Sequence, residues 1–351
     1  MDPLTHALAG ATLARATATR VRSDACLSVK ARIVAGTLAA IFPDIDGLLQ
    51  WVSPVAYLDG HRGLTHSLLL LPLWALALAW LFARVARDPR GPRPWFGICA
   101  IGIASHVALD VITGYGTMLA TPLSWHRFTL RTTFIIDLWL SGLVAAGLVG
   151  ALLLRRSRIP AIAACVGGVA YVAFQFAMSE RAQGFGRREV AARGYDTARV
   201  VAYPRPVSPF NWTVFLETPD RVRFTHVNLV RRVTRPDPGP AGGIFERLDA
   251  PYRPLDDVVW HERLRFGAAG SERDRVQSAW RADDLDFFRR FADLPVFDGT
   301  HPGASCVWFV DLRFLTPGRD SMPFRYGACR GADQRWRGHQ MDGTGQPIPL
   351  R

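Results

Sequence analysis

The chain has 351 residues, enough for two domains, and its apolar residues (49%) are concentrated in the first half. Its net charge of +12 comes almost wholly from arginine, since Lys30 is the only lysine. The arginines are scattered and form no basic helix or RNA-binding signature. We therefore attribute the charge to composition and membrane-flanking positions, and expect no nucleic-acid partner.

The first two helical segments are short. Residues 4 to 19 form a predicted helix of small side chains, and a basic loop follows over residues 20 to 32. Residues 33 to 50 are apolar but are interrupted by the sequence FPDIDG. Pro43 disfavours helix at Phe42 and can itself open a new helix, so we expect a break there.

A pair of histidines lies in the sequence HRGLTHS, directly before a long apolar run. Gly63 permits a sharp turn, and Thr65 or a residue beside it can cap the helix that follows. This pattern predicts His61 in the loop and His66 in the first helical turn. The two imidazoles can then converge on one point at a membrane surface.

Four segments approach the ~20 apolar residues that span a hydrocarbon core. They are residues 64 to 83, 95 to 114, 133 to 154 and 160 to 178. The basic stretches lie at 20 to 32, 84 to 93 and 155 to 158. With these three in the cytoplasm, six helical segments alternate without conflict, and the N-terminus and residues 180 to 351 lie outside.

This orientation places four histidines and four aspartates at the outer ends of their segments. They are His6, Asp44, Asp46, His61, His66, His106, Asp110 and Asp137. His106 and Asp110, four apart on a helix, share a face. Any one of the eight fits equally well as a hydrogen-bonded interior polar residue, but ionisable residues in apolar spans indicate function by default. Their nitrogen and oxygen atoms suit one or two divalent ions, zinc before manganese or iron.

The second half of the chain has the pattern of a smaller α+β domain. Strands are predicted at 198 to 203, 211 to 217, 221 to 230, 257 to 266 and 306 to 315. A helix is predicted at 272 to 292, and the last dozen residues read as a loose tail. The expected fold is an α-helical multi-pass membrane domain over 1–180, followed by an extramembrane α+β domain over 181–351.

Three motifs of the first 180 residues resemble the YdjM family of inner-membrane proteins: PDxD at Asp44 and Asp46, HRGxTHS from His61, and HxxLDxxTxxG from His106. The tail, with Asn211 and the residues after it, resembles the extension of longer members. The resemblance implies a multi-pass protein of the bacterial inner membrane with metal-dependent hydrolase chemistry. It implies no particular substrate.

A hydrolytic site then assigns roles to these residues. One ion is held by four predicted ligands: His61, His66, His106 and Asp110. Asp44 and Asp46 complete a second metal site or act as general base, and His6 and Asp137 are further ligands or orient the ligands. Arg62 either steadies a phosphoryl oxygen as part of the catalytic set or reaches the lipid headgroups.

Three functions remain open on the sequence alone. The first is a metallohydrolase acting on a lipid or lipid-linked substrate, so that membrane lipid is the expected partner. The second is a transporter whose histidines and aspartates relay protons or a cation, although the inner halves of the spans, such as 76 to 82, are apolar. The third is a scaffold with a structural metal.

The five cysteines predict one disulfide. Only Cys306 and Cys329 lie in the domain expected outside the cytoplasm, where disulfides persist. A turn near Pro317 can bring the two together.

Overall fold

The computed structural model describes residues 1–18, 26–155, 157–195, 199–300, 305–319 and 322–350. Part of the predicted basic loop, including Arg20 and Arg22, lies outside these residues, as do positions 156 and 198. An N-terminal helical region is followed by two small antiparallel sheets, which confirms the predicted fold class.

Helices α1 (Pro3–Ala16), α2 (Val29–Ile41) and α5 (Arg93–Val111) pack at close range. Small residues allow this: a Cβ added to Gly10 of α1 would lie 2.3 Å from the Gly36 carbonyl oxygen of α2. A Cβ on Gly102 of α5 would lie 2.8 Å from the Ala39 Cβ. Close helix approach through small residues is typical of membrane proteins, where apolar burial alone drives little association.

The predicted break before the PDxD motif is confirmed. Helix α2 starts after Ser28, whose hydroxyl accepts the Ala31 amide, and gives way at Phe42 to a 3-10 segment, Phe42–Trp51. Helix α3 (Pro54–Gly60) follows. The tighter turn carries Asp44 and Asp46, so the bend at Pro43 delivers both carboxylates to one place.

The segment predicted as a span over 64 to 83 is bent. A 3-10 turn, Leu64–His66, precedes helix α4 (Leu71–Val85), and the pair Pro54–His66 and Leu71–Val85 bends by 78°. The Ser67 hydroxyl, rather than Thr65, accepts the Leu69 and Leu70 amides near the start of this helix. His66, predicted in the first turn of the helix, therefore lies in a separate 3-10 turn, and the helix itself starts at Leu71.

Three helices are long and apolar enough to cross a membrane within the described part of the chain. They are Val29–Trp51, Arg93–Val111 and Ile159–Arg193, and the bent pair makes a fourth if counted as one span. Helix α6 (Leu138–Leu153) is shorter than the predicted segment 133 to 154. Helix α7 (Ile159–Arg193) is longer than the predicted segment 160 to 178.

The first sheet contains β1 (Arg199–Pro204), β2 (Asn211–Glu217), β3 (Arg221–Asn228) and β4 (His261–Leu264), in that order and antiparallel. One face packs on the end of α7, where Phe185 meets Trp212 and Val214. The other face packs on the second sheet through a core that includes Phe215 and Val310. The predicted strand at 257 to 266 is shortened to β4.

The second sheet has the order β5 (Pro295–Thr300), β6 (Cys306–Asp311), β7 (Tyr326–Arg330), β8 (Trp336–Met341) and β9 (Pro347–Pro349). Cys306 and Cys329 face each other across β6 and β7 and form the predicted disulfide. Strand β9 shows that the expectation of a loose C-terminal tail was wrong.

Three short helices complete this region: α8 (Ile244–Asp249), α9 (Ser271–Trp280) and α10 (Asp286–Phe291). The helix predicted over 272 to 292 is broken, because the chain turns at a 3-10 segment, Asp283–Leu285. There Arg289 donates to the carbonyls of Trp280 and Ala282, which closes the turn.

The chain divides into two compact units. The N-terminal unit comprises residues 1–48 and 60–177, and the C-terminal unit comprises residues 49–59 and 178–351. The assignment of the metal site to 1–180 and of an extramembrane domain to 181–351 stays a prediction. The segment 49–59, which lies between the PDxD motif and His61, clusters with the C-terminal unit.

Candidate metal centre

Four side chains from three segments meet in the N-terminal unit. Asp44 comes from the 3-10 segment after α2, His66 from the 3-10 turn before α4, and His106 and Asp110 from α5. The tight turn before His66 needs glycine, since a Cβ on Gly63 would lie 2.7 Å from the Gly60 carbonyl oxygen. Each of the four has one ligand atom within 4.8 Å of the others.

The ligand atoms of His66, His106 and Asp110 are spaced close to what a tetrahedral ion requires, and that of Asp44 lies further from His66. His66 Nε2 lies 3.0 Å from His106 Nε2 and 3.1 Å from Asp110 Oδ2. His106 Nε2 lies 3.3 Å from Asp110 Oδ2 and 3.5 Å from Asp44 Oδ1, and His66 Nε2 lies 4.0 Å from Asp44 Oδ1. Ligands around a tetrahedral zinc ion are about 3.3–3.4 Å apart, given bond lengths near 2.0–2.1 Å. The arrangement can therefore hold one metal ion.

The partners of the two rings fix which nitrogen is bare. His106 Nδ1 lies 2.6 Å from the Ala40 carbonyl oxygen, which can only accept, so Nδ1 carries the proton. His66 Nδ1 lies 3.2 Å from Asp46 Oδ2, again an acceptor. In neutral rings both Nε2 atoms then present lone pairs to each other at 3.0 Å. A cation between them removes that repulsion, and metal-binding histidines are commonly oriented in this way.

Asp110 is fully buried and its two oxygens differ. Oδ1 contacts the Met1 amino group, Arg62 Nη2 at 2.9 Å and His6 Nε2 at 3.3 Å. Oδ2 faces the two histidine nitrogens and has no hydrogen-bond partner within the described residues. A buried carboxylate oxygen without a donor is costly, and a bound ion at this position removes the cost.

Arg62 does not extend to the headgroups, since its side chain is only 3% exposed. Its guanidinium pairs with Asp110 and donates to Thr113 Oγ1 at 3.0 Å. It also stacks over the Tyr115 ring, 4.7 Å from the centroid. Arg62 takes a left-handed backbone conformation (φ 62°), which directs its amide to Asp46. The structure thus gives Arg62 a positioning role behind Asp110, and a contact with substrate stays a prediction.

Both carboxylate oxygens of Asp46 contact neighbouring side chains or amides. Its Oδ2 accepts hydrogen bonds from the Thr65 hydroxyl at 2.8 Å and from the Arg62 amide at 2.9 Å. The same oxygen also faces His66 Nδ1. Its Oδ1 lies 2.6 Å from His61 Nδ1. Asp44, Asp46 and His61 form a second group with metal-ligand spacing. Because Asp46 also orients His66, it links the two groups.

His6 and Asp137 lie outside both groups. The His6 ring is fully buried and stacks on His106, with centroids 3.6 Å apart. Neither of its ring nitrogens has a hydrogen bond within the described residues. Asp137 caps α6 instead: its Oδ1 accepts the Trp139 and Leu140 amides, and Tyr171 donates to the carboxylate.

The four ligand side chains differ in exposure. Those of His66, His106 and Asp110 are fully buried, whereas that of Asp44 is 25% exposed. Asp44 is therefore the one of the four that a small molecule can touch from outside the described residues. Ile45, next to Asp44 in the chain, and Leu48 and Leu64 have exposed apolar side chains.

The family model described as YdjM inner membrane protein matches residues 1–182. The chain belongs to this family. The inner membrane protein YdjM of Escherichia coli (strain K12) is 37% identical over 101 residues, which cover 26% of this chain and 50% of that protein. The YdjM protein of Shigella flexneri matches to the same extent. The uncharacterized protein YfhP of Bacillus subtilis (strain 168) is 27% identical over 148 residues, or 41% of this chain and 45% of that protein.

The chain thus spans about half the length of the curated relatives it matches. No solved structure matches. The matched region contains every residue of both metal-ligand groups.

Sequence reasoning missed several residues that orient the ligands. Thr65 was expected to cap a helix, yet its hydroxyl donates to Asp46. Thr113 accepts from Arg62, and Ala40 fixes the His106 ring through its carbonyl. Both threonines lie inside the family-like motifs, Thr65 directly before the ligand His66 and Thr113 three residues after the ligand Asp110, and this proximity was the available signal. A backbone carbonyl leaves no signal in the sequence.

Proposed function

We propose that this chain is a membrane-bound metal-dependent hydrolase. The observation that carries the proposal is the meeting of the Nε2 atoms of His66 and His106, 3.0 Å apart, with the buried Oδ2 of Asp110, 3.1 Å from His66 Nε2 and 3.3 Å from His106 Nε2. Such a set favours a divalent ion, with zinc preferred for its nitrogen and oxygen ligands and tetrahedral habit. The second group, around Asp44, Asp46 and His61, supports a second ion.

A divalent ion at this place supplies Lewis-acid chemistry and makes a water molecule acidic enough to attack at neutral pH. The chain supplies the rest. Asp44 is the partly exposed member of the four and can take the proton of an attacking water as general base. Asp46 holds the rings of His61 and His66 in place, and Arg62 fixes the Asp110 carboxylate. The burial of the other ligands keeps bulk water from the site.

The substrate that we propose is a lipid or a lipid-linked phosphoester. The exposed apolar side chains of Ile45, Leu48 and Leu64 support a substrate with a hydrocarbon part, because they leave apolar surface on the segments that carry Asp44 and His66. The three basic stretches support the topology in which this site faces the outer leaflet and residues 180–351 lie outside the cytoplasm.

Metal analysis of the full-length protein in detergent tests the proposal. We expect one or two equivalents of zinc, lost in His66→Ala, His106→Ala and Asp110→Ala, since loss of a direct ligand should exceed the roughly 10–100-fold effect of an orienting residue. His126→Ala is the matched control, because His126 is an exposed histidine of the same unit. Unchanged metal content in all three variants would refute the metal centre.

A panel of phosphoester substrates, from soluble diesters to phospholipids in vesicles, then tests hydrolysis. If Asp44 is the general base and not a fourth ligand, activity should require the metal and vanish in Asp44→Asn, while the metal is retained at His66, His106 and Asp110. Metal-loaded protein that hydrolyses none of the panel would favour the metal-stabilised scaffold instead.

A further inference from the structure

A cavity of about 310 Å³ lies in the C-terminal unit, outside the metal centre. Its polar lining consists of His226 of β3, His261 of β4 and Arg253, and the remainder is apolar, including Phe224 and Leu315. No described lining residue is acidic. We propose that this cavity binds a compact oxyanion, of the phosphate or carboxylate type. This proposal does not depend on the hydrolase function.

The first argument is an arginine buried behind the cavity wall. Arg205 is only 4% exposed, and no carboxylate of the described residues lies within ion-pair distance of it. Its Nη1 donates to the Arg313 carbonyl oxygen at 3.0 Å, and its Nη2 has no partner among those residues. Buried charges in proteins are normally paired. The Asp311 carboxylate acts on this charge only from beyond ion-pair distance, so Nη2 and its charge can still serve an anion from outside the chain.

The second argument is a relay of hydrogen bonds that runs from Arg205 to the cavity. Arg205 Nε donates to Thr213 Oγ1 at 2.6 Å. Thr213 Oγ1 lies 2.9 Å from His226 Nδ1 and can donate its single hydrogen to that nitrogen. In that arrangement the neutral His226 ring carries its proton on Nε2. The ring that lines the cavity is thus set as a donor, which is the polarity that an oxyanion needs.

Further hydrogen-bond donors lie near the His226 ring. The Tyr252 hydroxyl is fully buried, has no partner in the described residues, and belongs to a ring 5.8 Å from the His226 ring. Arg253 reaches the cavity from the surface, where it makes a loose pair with Asp257 at 3.3 Å. His261 lies 6.1 Å from His226, ring centre to ring centre.

The pKa values of His226 and Arg205 agree with a cavity that donates hydrogen bonds to an anion. Desolvation, and then the Arg205 charge, lower the pKa of His226 to about 3, so the ring is a neutral donor at pH 7. Burial lowers the pKa of Arg205 to about 10, which still leaves it charged at pH 7. A cavity of this size holds a phosphate or carboxylate together with part of the molecule that carries it.

Calorimetric titration of the full-length protein in detergent tests the site, after EDTA treatment to remove any metal-dependent binding. The probes are inorganic phosphate, acetate and glycerol phosphate, the last as a fragment of a lipid headgroup. We expect saturable binding of at least one probe with a stoichiometry of one. Tighter binding of glycerol phosphate than of inorganic phosphate would identify the lipid headgroup as the source of the oxyanion.

Two variants and two controls locate the site. His226→Phe and Arg253→Gln should each weaken binding about tenfold or more, the effect of losing a charge-assisted hydrogen bond. His339→Phe removes a histidine of β8, and Arg337→Gln removes an arginine paired four residues away with Asp333, just as Arg253 is paired with Asp257. Both controls should bind as the wild type does.

Absence of saturable binding for all three probes would overturn the proposal. Binding that survives in both cavity variants would do the same. If His226→Phe does not fold, Arg253→Gln decides alone, because Arg253 is at the surface. Binding unaffected by Asp110→Ala would separate this site from the metal centre, so that either can fail without the other.

Discussion

The replacement of Asp46 by asparagine separates a metal ligand from a residue that orients ligands. The sequence alone left Asp46 as a ligand of a second metal or as general base, whereas in the structure both of its oxygens contact His61, Arg62, Thr65 and His66. Asparagine keeps the size and one acceptor but loses the charge. We therefore expect metal to bind Asp46→Asn about 10–100-fold more weakly than it binds the wild type, equivalent to roughly 1.4–2.7 kcal/mol.

A competition titration with a chromophoric zinc chelator measures this affinity on full-length protein in detergent. Asp137→Asn is the matched control: it is the same change in the same unit, at a carboxylate that caps α6 and bonds Tyr171. Its metal affinity should equal that of the wild type. An unchanged affinity in Asp46→Asn would refute the orienting role, and complete loss of metal would make Asp46 a ligand.

Three further predictions concern packing, covalent structure and topology. Gly102→Ala should destabilise the N-terminal unit by about 1–3 kcal/mol through overpacking, since its Cβ would lie 2.8 Å from Ala39 Cβ, while Gly97→Ala in the same helix meets nothing within 4 Å and should be neutral or stabilising in thermal unfolding. Removal of the disulfide between Cys306 and Cys329, which are 23 positions apart in sequence, should lower the denaturation midpoint of the C-terminal unit by the equivalent of about 3 kcal/mol. Equal midpoints with and without reductant would contradict this. Reporter fusions at Arg90 and at residue 190 should report opposite sides of the membrane, and a common side would refute the proposed topology.

The sequence predicted those parts of the fold that depend on local rules. Helix α2 ends directly before Pro43, which has no backbone amide to continue the α-helical hydrogen bonds, although Phe42 itself keeps helical dihedrals. The alternation of apolar and polar residues predicted most of the strands. The disulfide between Cys306 and Cys329 was predicted from the compartment expected for each cysteine. The 78° bend before α4 was not predicted, because a continuous apolar run has the same sequence pattern whether or not its helix is bent.

The sequence predicted which residues form the site better than it predicted the role of each residue. Seven of the eight proposed residues belong to the two metal-ligand groups or contact them. The eighth, Asp137, caps the N-terminus of α6 instead. An aspartate directly before an apolar helix fits both roles, since capping and metal binding use the same carboxylate. The ion pair of Arg62 with Asp110 was not predicted, because the two residues lie 48 positions apart in the chain, beyond the reach of any local pattern.

The segment 49–59 has a consequence for the order in which the protein is built. It connects Asp46 to His61, yet it clusters with the C-terminal unit, and its Asp59 pairs with Arg290 of α10, 231 positions later. The pair is exposed and stabilises little by itself. Because chains emerge from the ribosome N-terminal end first, the connection between these two residues lacks its packing partners until most of the chain has been synthesised. A chain that stops before α10 retains every residue of both ligand groups but leaves that connection without its native neighbours.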